Sequence, residues 1–95
     1  MTNNLQSLFF NENNIKILLH ISRNQGETSA TDIAKNIDLS YQNVHPKVNT
    51  MNDLHLVDKD KSGQRKHLLS LTEYGEELAR EFERLNTVFR KVEAE

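Results

Sequence analysis

The stretch SATDIAKNIDLSYQNVHPKVNTMNDL, residues 29–54, reads as two short helices joined by a tight turn. Ser29 is placed to cap the first, with Asp32 three residues on as a short form of the capping box. Ile33, Ala34 and Ile37 share one face. Asp38-Leu39-Ser40 then makes the turn, because Asp tolerates a left-handed backbone better than most residues. Ser40 caps the second helix, whose Val44, Val48 and Met51, with Leu54 near the end, form a single apolar stripe. One residue breaks the pattern. Pro46 inside a helix removes a backbone bond and clashes one turn back, at a cost of about 3 kcal/mol. Either the helix kinks there, or its regular part begins near Pro46 as a first-turn residue.

Upstream, residues 12–23 form a helix with Asn11 as N-cap and an apolar face of Ile15, Ile17, Leu18, Leu19 and Ile21, stopped at Asn24-Gln25-Gly26. His20 beside that face reads as a structural histidine. Downstream the period changes from helical to alternating. Leu56-Val57, the polar Asp58 to Gly63 and the segment from Arg65 to Leu71 predict a β-hairpin with a polar tip, and Glu27–Thr28 is a candidate third short strand. Thr72 then caps a final helix, with Glu73 in its first turn. The predicted order is α-α-α-β-β-α: mainly helical, with one small hairpin and a long C-terminal helix.

That last helix carries Leu78, Phe82, Leu85, Phe89 and Val92 at 4-3-4-3 spacing, a coiled-coil-like seam. From residue 73 to 93 it extends about 31 Å at 1.5 Å per residue. A chain of 95 residues has a marginal core, so a seam of that length points to a second subunit. Leu5, Leu8, Phe9 and Phe10 would form a sticky patch if exposed and are expected to pack on the core or on the partner. The expected division is residues 1–10 as that packing segment, 11–71 as the binding domain and 72–95 as the dimerisation helix.

Charge is uneven along the chain. The net charge of −2 gives no global attraction to a polyanion. Residues 41–70, however, hold five basic and three acidic groups and three of the four histidines, whereas residues 71–95 hold four basic and seven acidic groups. The middle of the chain suits phosphate and the tail avoids it.

Within this frame, the stretch from Thr31 to Ser40, the apolar positions Val44, Val48, Met51, Leu54, Leu56 and Val57, and above all Leu69-Ser70-Leu71-Thr72-Glu73-Tyr74-Gly75 resemble the MarR-like winged helix-turn-helix transcriptional regulators. The last segment is similar to the L-T-x-x-G signature of that family. The shortness of the chain is similar to the minimal archaeal or viral members, which dimerise through a C-terminal helix. Three positions depart from the family pattern: Asp38 and His55 stand where Gly is usual, and the wing lacks the Asp-x-Arg motif.

The resemblance implies a regulator that binds double-stranded DNA as a homodimer on a palindromic operator, in the role of a repressor. Side chains on the outer face of a helix in the major groove read base edges, and Lys or Arg in the wing meets phosphate or a narrow minor groove. The residues expected at DNA are Ser40, Tyr41, Gln42, Asn43, His45, Lys47, Asn49 and Thr50 on the recognition helix, and Lys59, Lys61, Arg65 and Lys66 in the wing. Those expected at the dimer interface are Leu5, Leu8, Phe9, Leu78, Phe82, Leu85, Phe89 and Val92. A second reading is a winged-helix protein–protein interaction module in a larger assembly, which the acidic tail helix would suit. No nucleophile, phosphate-loop or metal-ligand spacing occurs, so no enzyme activity, cofactor or metal is expected. The chain has no cysteine, no apolar run that could span a membrane and no secretory leader, which predicts a cytoplasmic protein with no membrane partner. No residue pattern specifies a small-molecule effector.

Overall fold

A capping side chain opens every helix described in the computed structural model, which covers Phe9 and residues 11–60 and 67–95. Asn11 accepts from the Asn13 N–H at 2.8 Å and opens α1, Glu12–Arg23. Ser29 accepts from Asp32 at 3.3 Å and opens α2, Ala30–Asn36. Ser40 accepts from Asn43 at 3.3 Å and opens α3, Tyr41–Asp53. After β1, Val57–Asp60, and β2, Leu68–Leu71, Thr72 accepts from Gly75 at 3.1 Å and opens α4, Glu73–Glu93. Each cap satisfies an otherwise orphaned donor and contributes about 1 kcal/mol. The order α-α-α-β-β-α is the one read from the sequence.

Two helices end in the same way, without glycine. Asp38 follows α2 with φ 58°, and Leu39 N–H returns to the Ala34 carbonyl at 3.1 Å. His55 follows α3 with φ 64°, where His55 N–H bonds the Asn52 carbonyl at 3.0 Å and Leu56 N–H bonds the Met51 carbonyl at 2.9 Å. The second is a complete Schellman motif, with His in the left-handed position that glycine normally takes. Asp and His tolerate that backbone better than most residues, which lets the chain depart from glycine at both turns.

α3 runs unbroken from Tyr41 to Asp53 with Pro46 inside it. The arrangement in which the regular helix starts near Pro46 is therefore not adopted. Pro46 and Gln42, whose carbonyl loses its partner one turn on, both lie on an exposed face, where water can satisfy the freed group.

The strands pair antiparallel, with Val57 opposite Leu71 and Lys59 opposite Leu69. Leu69 also bridges Thr28: Leu69 N–H donates to the Thr28 carbonyl and Gly26 N–H donates to the Leu69 carbonyl, both at 2.8 Å. The Gln25 side-chain oxygen accepts from Leu71 N–H at 2.6 Å. Thus the far edge of β2 is paired by the α1–α2 connection, and the hairpin is anchored to the helical body. Val57, Leu69 and Leu71 on its inner face join Ile17, Leu18, Ile21, Ile33, Val44, Val48 and Met51 in one core.

α4 meets that core over its first half only. Gly75 and Ala79 are buried, and Leu78 and Phe82 are partly covered, with Phe82 against Phe9 at a ring-centroid distance of 5.5 Å. Arg23 reaches across from α1 to Glu83 at 2.7 Å. Beyond this, Leu85, Val88, Phe89 and Val92 are exposed by 45, 49, 53 and 66%. No described helix is long and apolar enough to cross a membrane.

Gly75 marks the tightest crossing. A Cβ there would run into the Leu56 carbonyl oxygen and come within 3.2 Å of Leu71 Cβ. The glycine of the L-T-x-x-G segment is thus required by the approach of α4 to the exit of α3. Replacing Gly75 by Ala is expected to cost about 1–3 kcal/mol as α4 is pushed off the strand, and His55→Gly to gain about 1 kcal/mol by relieving a left-handed non-glycine residue. Urea unfolding of the two variants checks both signs.

His20 has a structural setting, as its position on α1 implied. Its Nε2 lies 3.2 Å from Thr28 Oγ1, at the base of the hairpin anchor. Burial lowers its pKa below the ordinary 6.5, Arg23 adds to the lowering, and Asp32 partly offsets it. The fold therefore favours the neutral ring. Its contribution to stability is complete above pH 6.5 and is lost as pH falls through the lowered folded value. Unfolding measured between pH 7.5 and 5 should show stability declining on acidification, and His20→Gln should flatten that decline.

Candidate nucleic-acid interface

α3 is held from below. Val44, Val48 and Met51 are essentially fully buried, at 0, 1 and 0% exposure. Each buried side chain of this size contributes roughly 1.5–3 kcal/mol, so the orientation of the helix about its own axis is not free. Burial on one side dictates exposure on the other. Gln42, Asn43, Pro46, Thr50 and Asp53 are exposed, and Lys47 is half-buried at the flank. Thr50 turns its hydroxyl back to the Pro46 carbonyl at 3.0 Å. Ser40 is exposed, but its side-chain oxygen is engaged as the cap.

The flank that faces the hairpin is different. Tyr41 stacks on His45, with ring centroids 5.1 Å apart and planes inclined by 22°. His45 Nδ1 and Asn49 Nδ2 approach to 3.5 Å, and the Asn49 side-chain oxygen accepts from Lys59 Nζ on β1. His45, Asn49 and Lys59 are all half-buried. The sequence reading placed His45 and Asn49 on the outward face with Gln42 and Asn43. The structure instead turns them toward β1, where Asn49 ties α3 to the hairpin. Asn52 adds a second tie, donating to the Val57 carbonyl at 2.7 Å.

Of the wing residues singled out, Lys59 lies on the inner face of the hairpin, beside its cross-strand partner Leu69. Lys61, Arg65 and Lys66 lie outside the described residues, as do Leu5, Leu8 and Phe10 at the N-terminus. His67 was not singled out. It stands immediately before β2, two residues ahead of Leu69, and lines the cleft between the hairpin and α3.

On α4 the predicted seam divides. Leu78 and Phe82 pack against the chain's own core, whereas Leu85, Phe89 and Val92 remain exposed together with Val88. Val88 was missed because a strict heptad skips it. It is three residues from Leu85 and four from Val92, so it falls on the same side of the helix. Among the described residues, no group of three or more His, Cys, Asp or Glu side chains is placed to hold a metal ion.

No curated protein sequence matches this chain. Among solved structures, the fold is similar to the transcriptional regulator SlyA, with a TM-score of 0.78 and 17% identity over 92% of this chain and 62% of that one. It is similar to Streptococcus pneumoniae FabT in complex with DNA, at 0.75 and 16% over 84% of this chain and 57% of that one. It is also similar to AF1382 from Archaeoglobus fulgidus, at 0.77 and 17% over 90% of this chain and 97% of that one. The chain thus spans about three-fifths of the lengths of SlyA and FabT, and nearly all of AF1382. The architecture is the winged helix-turn-helix of MarR-like regulators. The model of the family described as HVO_A0114 matches residues 9–72, from the start of α1 through the hairpin. The chain belongs to the HVO_A0114 family and carries it on a winged helix-turn-helix fold.

Proposed function

We propose that this protein is a sequence-specific, double-stranded DNA-binding transcriptional regulator that acts as a homodimer, in the role of a repressor, on a palindromic operator. The observation that carries the reading is the exposed face of α3. Gln42, Asn43, Pro46 and Thr50 project from a helix that the core holds rigidly and that Asn49 and Asn52 tie to the hairpin. A helix in the major groove presents amide groups to adenine, and apolar atoms to the thymine methyl group. FabT, of similar fold, was solved in complex with DNA, which supports a DNA-binding role for this fold here. Residues 11–71 form the DNA-binding part, with Ser40, Tyr41, Lys47, Lys59, Lys61, Arg65 and Lys66 contributing backbone contacts. His45 and Asn49 act through the tie to the hairpin.

Residues 72–95 pair with their two-fold mate. Leu85, Val88, Phe89 and Val92 form a contiguous apolar stripe that the chain's own described residues leave uncovered, and two copies laid along α4 would bury it. Leu5, Leu8 and Phe9 extend that contact in this reading, since Phe9 already sits against Phe82. A symmetric dimer sets the two copies of α3 about one turn of DNA apart.

Duplex binding should weaken steeply as salt rises, because each neutralised phosphate releases counterions. Gln42→Ala and Asn43→Ala should change the sequence recovered from a random DNA pool, each by about 1–3 kcal/mol of discrimination, with the salt slope unchanged. If salt-sensitive duplex binding is absent at low ionic strength, the protein-interaction reading replaces this one. Phe89→Glu combined with Leu85→Glu should convert a dimer to a monomer in sedimentation and lower operator affinity at least tenfold, while each folded domain keeps its helical content.

A further inference from the structure

The cleft between the start of α2, the first turns of α3 and the inner face of the hairpin has a volume of about 190 Å³. Its chemistry is one-sided. His45 from α3, Lys59 from β1 and His67 immediately before β2 line it, together with the hydroxyl-bearing Thr31 and Tyr41. No carboxylate is among its lining residues, although the chain has more acidic than basic residues, 14 against 12. Asp32 of α2 is turned elsewhere: it accepts from Ser29 Oγ at 3.0 Å and acts on His20.

The donors are also held in place. Lys59 Nζ is fixed by the Asn49 side-chain oxygen, which uses one of its three N–H bonds and leaves two. His45 faces Asn49 through Nδ1, and Tyr41 stacks against its ring, so Nε2 is the nitrogen on the open edge. A protonated imidazole donates from both nitrogens, and a lysine ammonium is a strong point-charge partner for phosphate. The space equals roughly six waters at about 30 Å³ each, enough for one tetrahedral oxyanion with part of its hydration shell.

We infer that this cleft is an oxyanion site, in which Lys59, His45 and His67 with the Thr31 and Tyr41 hydroxyls hold one phosphate-like group between the recognition helix and the wing. The anion has two possible sources with the same chemistry: a backbone phosphate of the bound duplex, or a free oxyanion that occupies the site before DNA does. The first source rests on the DNA-binding reading above; the second does not.

The test begins without DNA. Inorganic phosphate is titrated into the full-length protein at fixed pH, against sodium chloride of equal ionic strength, while the ring-proton resonances of His45 and His67 are followed by NMR. His45→Gln and His67→Gln supply the assignments. Both rings are expected to shift saturably with phosphate and not with chloride, and His67→Gln should weaken the apparent affinity at least fivefold while its thermal melt stays that of the parent chain. Thr31→Val, which changes no charge, should weaken it as well. If neither ring responds to phosphate beyond its response to chloride, the proposal is overturned.

Duplex titrations then separate the two sources. If the site seats a backbone phosphate, His67→Gln lowers the log–log salt slope by about one contact, and free phosphate competes with DNA beyond its ionic-strength effect. If it seats a free oxyanion, the phosphate response of the rings persists while the slope for His67→Gln matches the parent. Absence of any duplex binding would remove the first source and the proposed function, and leave the oxyanion site to be judged by the NMR titration alone.

Discussion

At the point where α4 begins, three chain segments meet at close range. Thr72 N–H bonds the Leu56 carbonyl at 2.9 Å, Thr72 Oγ1 donates to the His55 carbonyl at 2.6 Å, and Gly75 leaves room for the Leu56 carbonyl to lie against the first turn of α4. The same Thr72 oxygen also caps the helix through Gly75 N–H. This one junction joins the exit of α3, the end of β2 and the start of α4. It therefore couples the direction of α3 to the direction of the helix proposed to carry the dimer contact. A side chain at position 75 would separate them, and in the proposed dimer the spacing between the two copies of α3 would change with it.

The hairpin is positioned by an equally economical arrangement. β2 is paired on both edges, by β1 and by residues 26–28, and the Gln25 side chain takes the Leu71 N–H. On the other side, Asn49 and Asn52 hold α3 to β1 by side-chain hydrogen bonds. Two asparagines thus tie the first strand of the hairpin to α3. For the DNA-binding role proposed above, the consequence is a narrower reading face. The amide of Asn49 is spent on the wing, and Gln42 and Asn43 remain as the exposed amides of the first turn.

The last ten residues of α4 leave hydrophobic side chains in water. Exposing Leu85, Val88, Phe89 and Val92 together costs solubility in a monomer, and the dimer proposed above would cover them, since an apolar stripe on a long helix is covered most simply by its own copy. The acidic character of that helix suits the proposed arrangement, because it would keep the tail away from phosphate while Lys47 on α3 and Lys59 on β1 lie at the other end of the fold's charge distribution along the chain.

Much of this was legible from residue order alone. All four caps, the left-handed turn at Asp38 and the inward stripe Val44-Val48-Met51 follow from local rules, in which a residue's own chemistry and its neighbours within one turn suffice. The sequence alone determined the order of elements and which face of each helix is buried, because periodicity and capping act over a few residues. Only the tertiary structure decided that His45 and Asn49 turn to the wing, that Pro46 sits within a continuous helix, that His67 joins Lys59 at one cleft, and that Leu78 and Phe82 are covered while Leu85 and Phe89 are not. Each of these depends on which distant segment lies alongside, and a contact between residues ten or sixty positions apart leaves no trace in the pattern of either one.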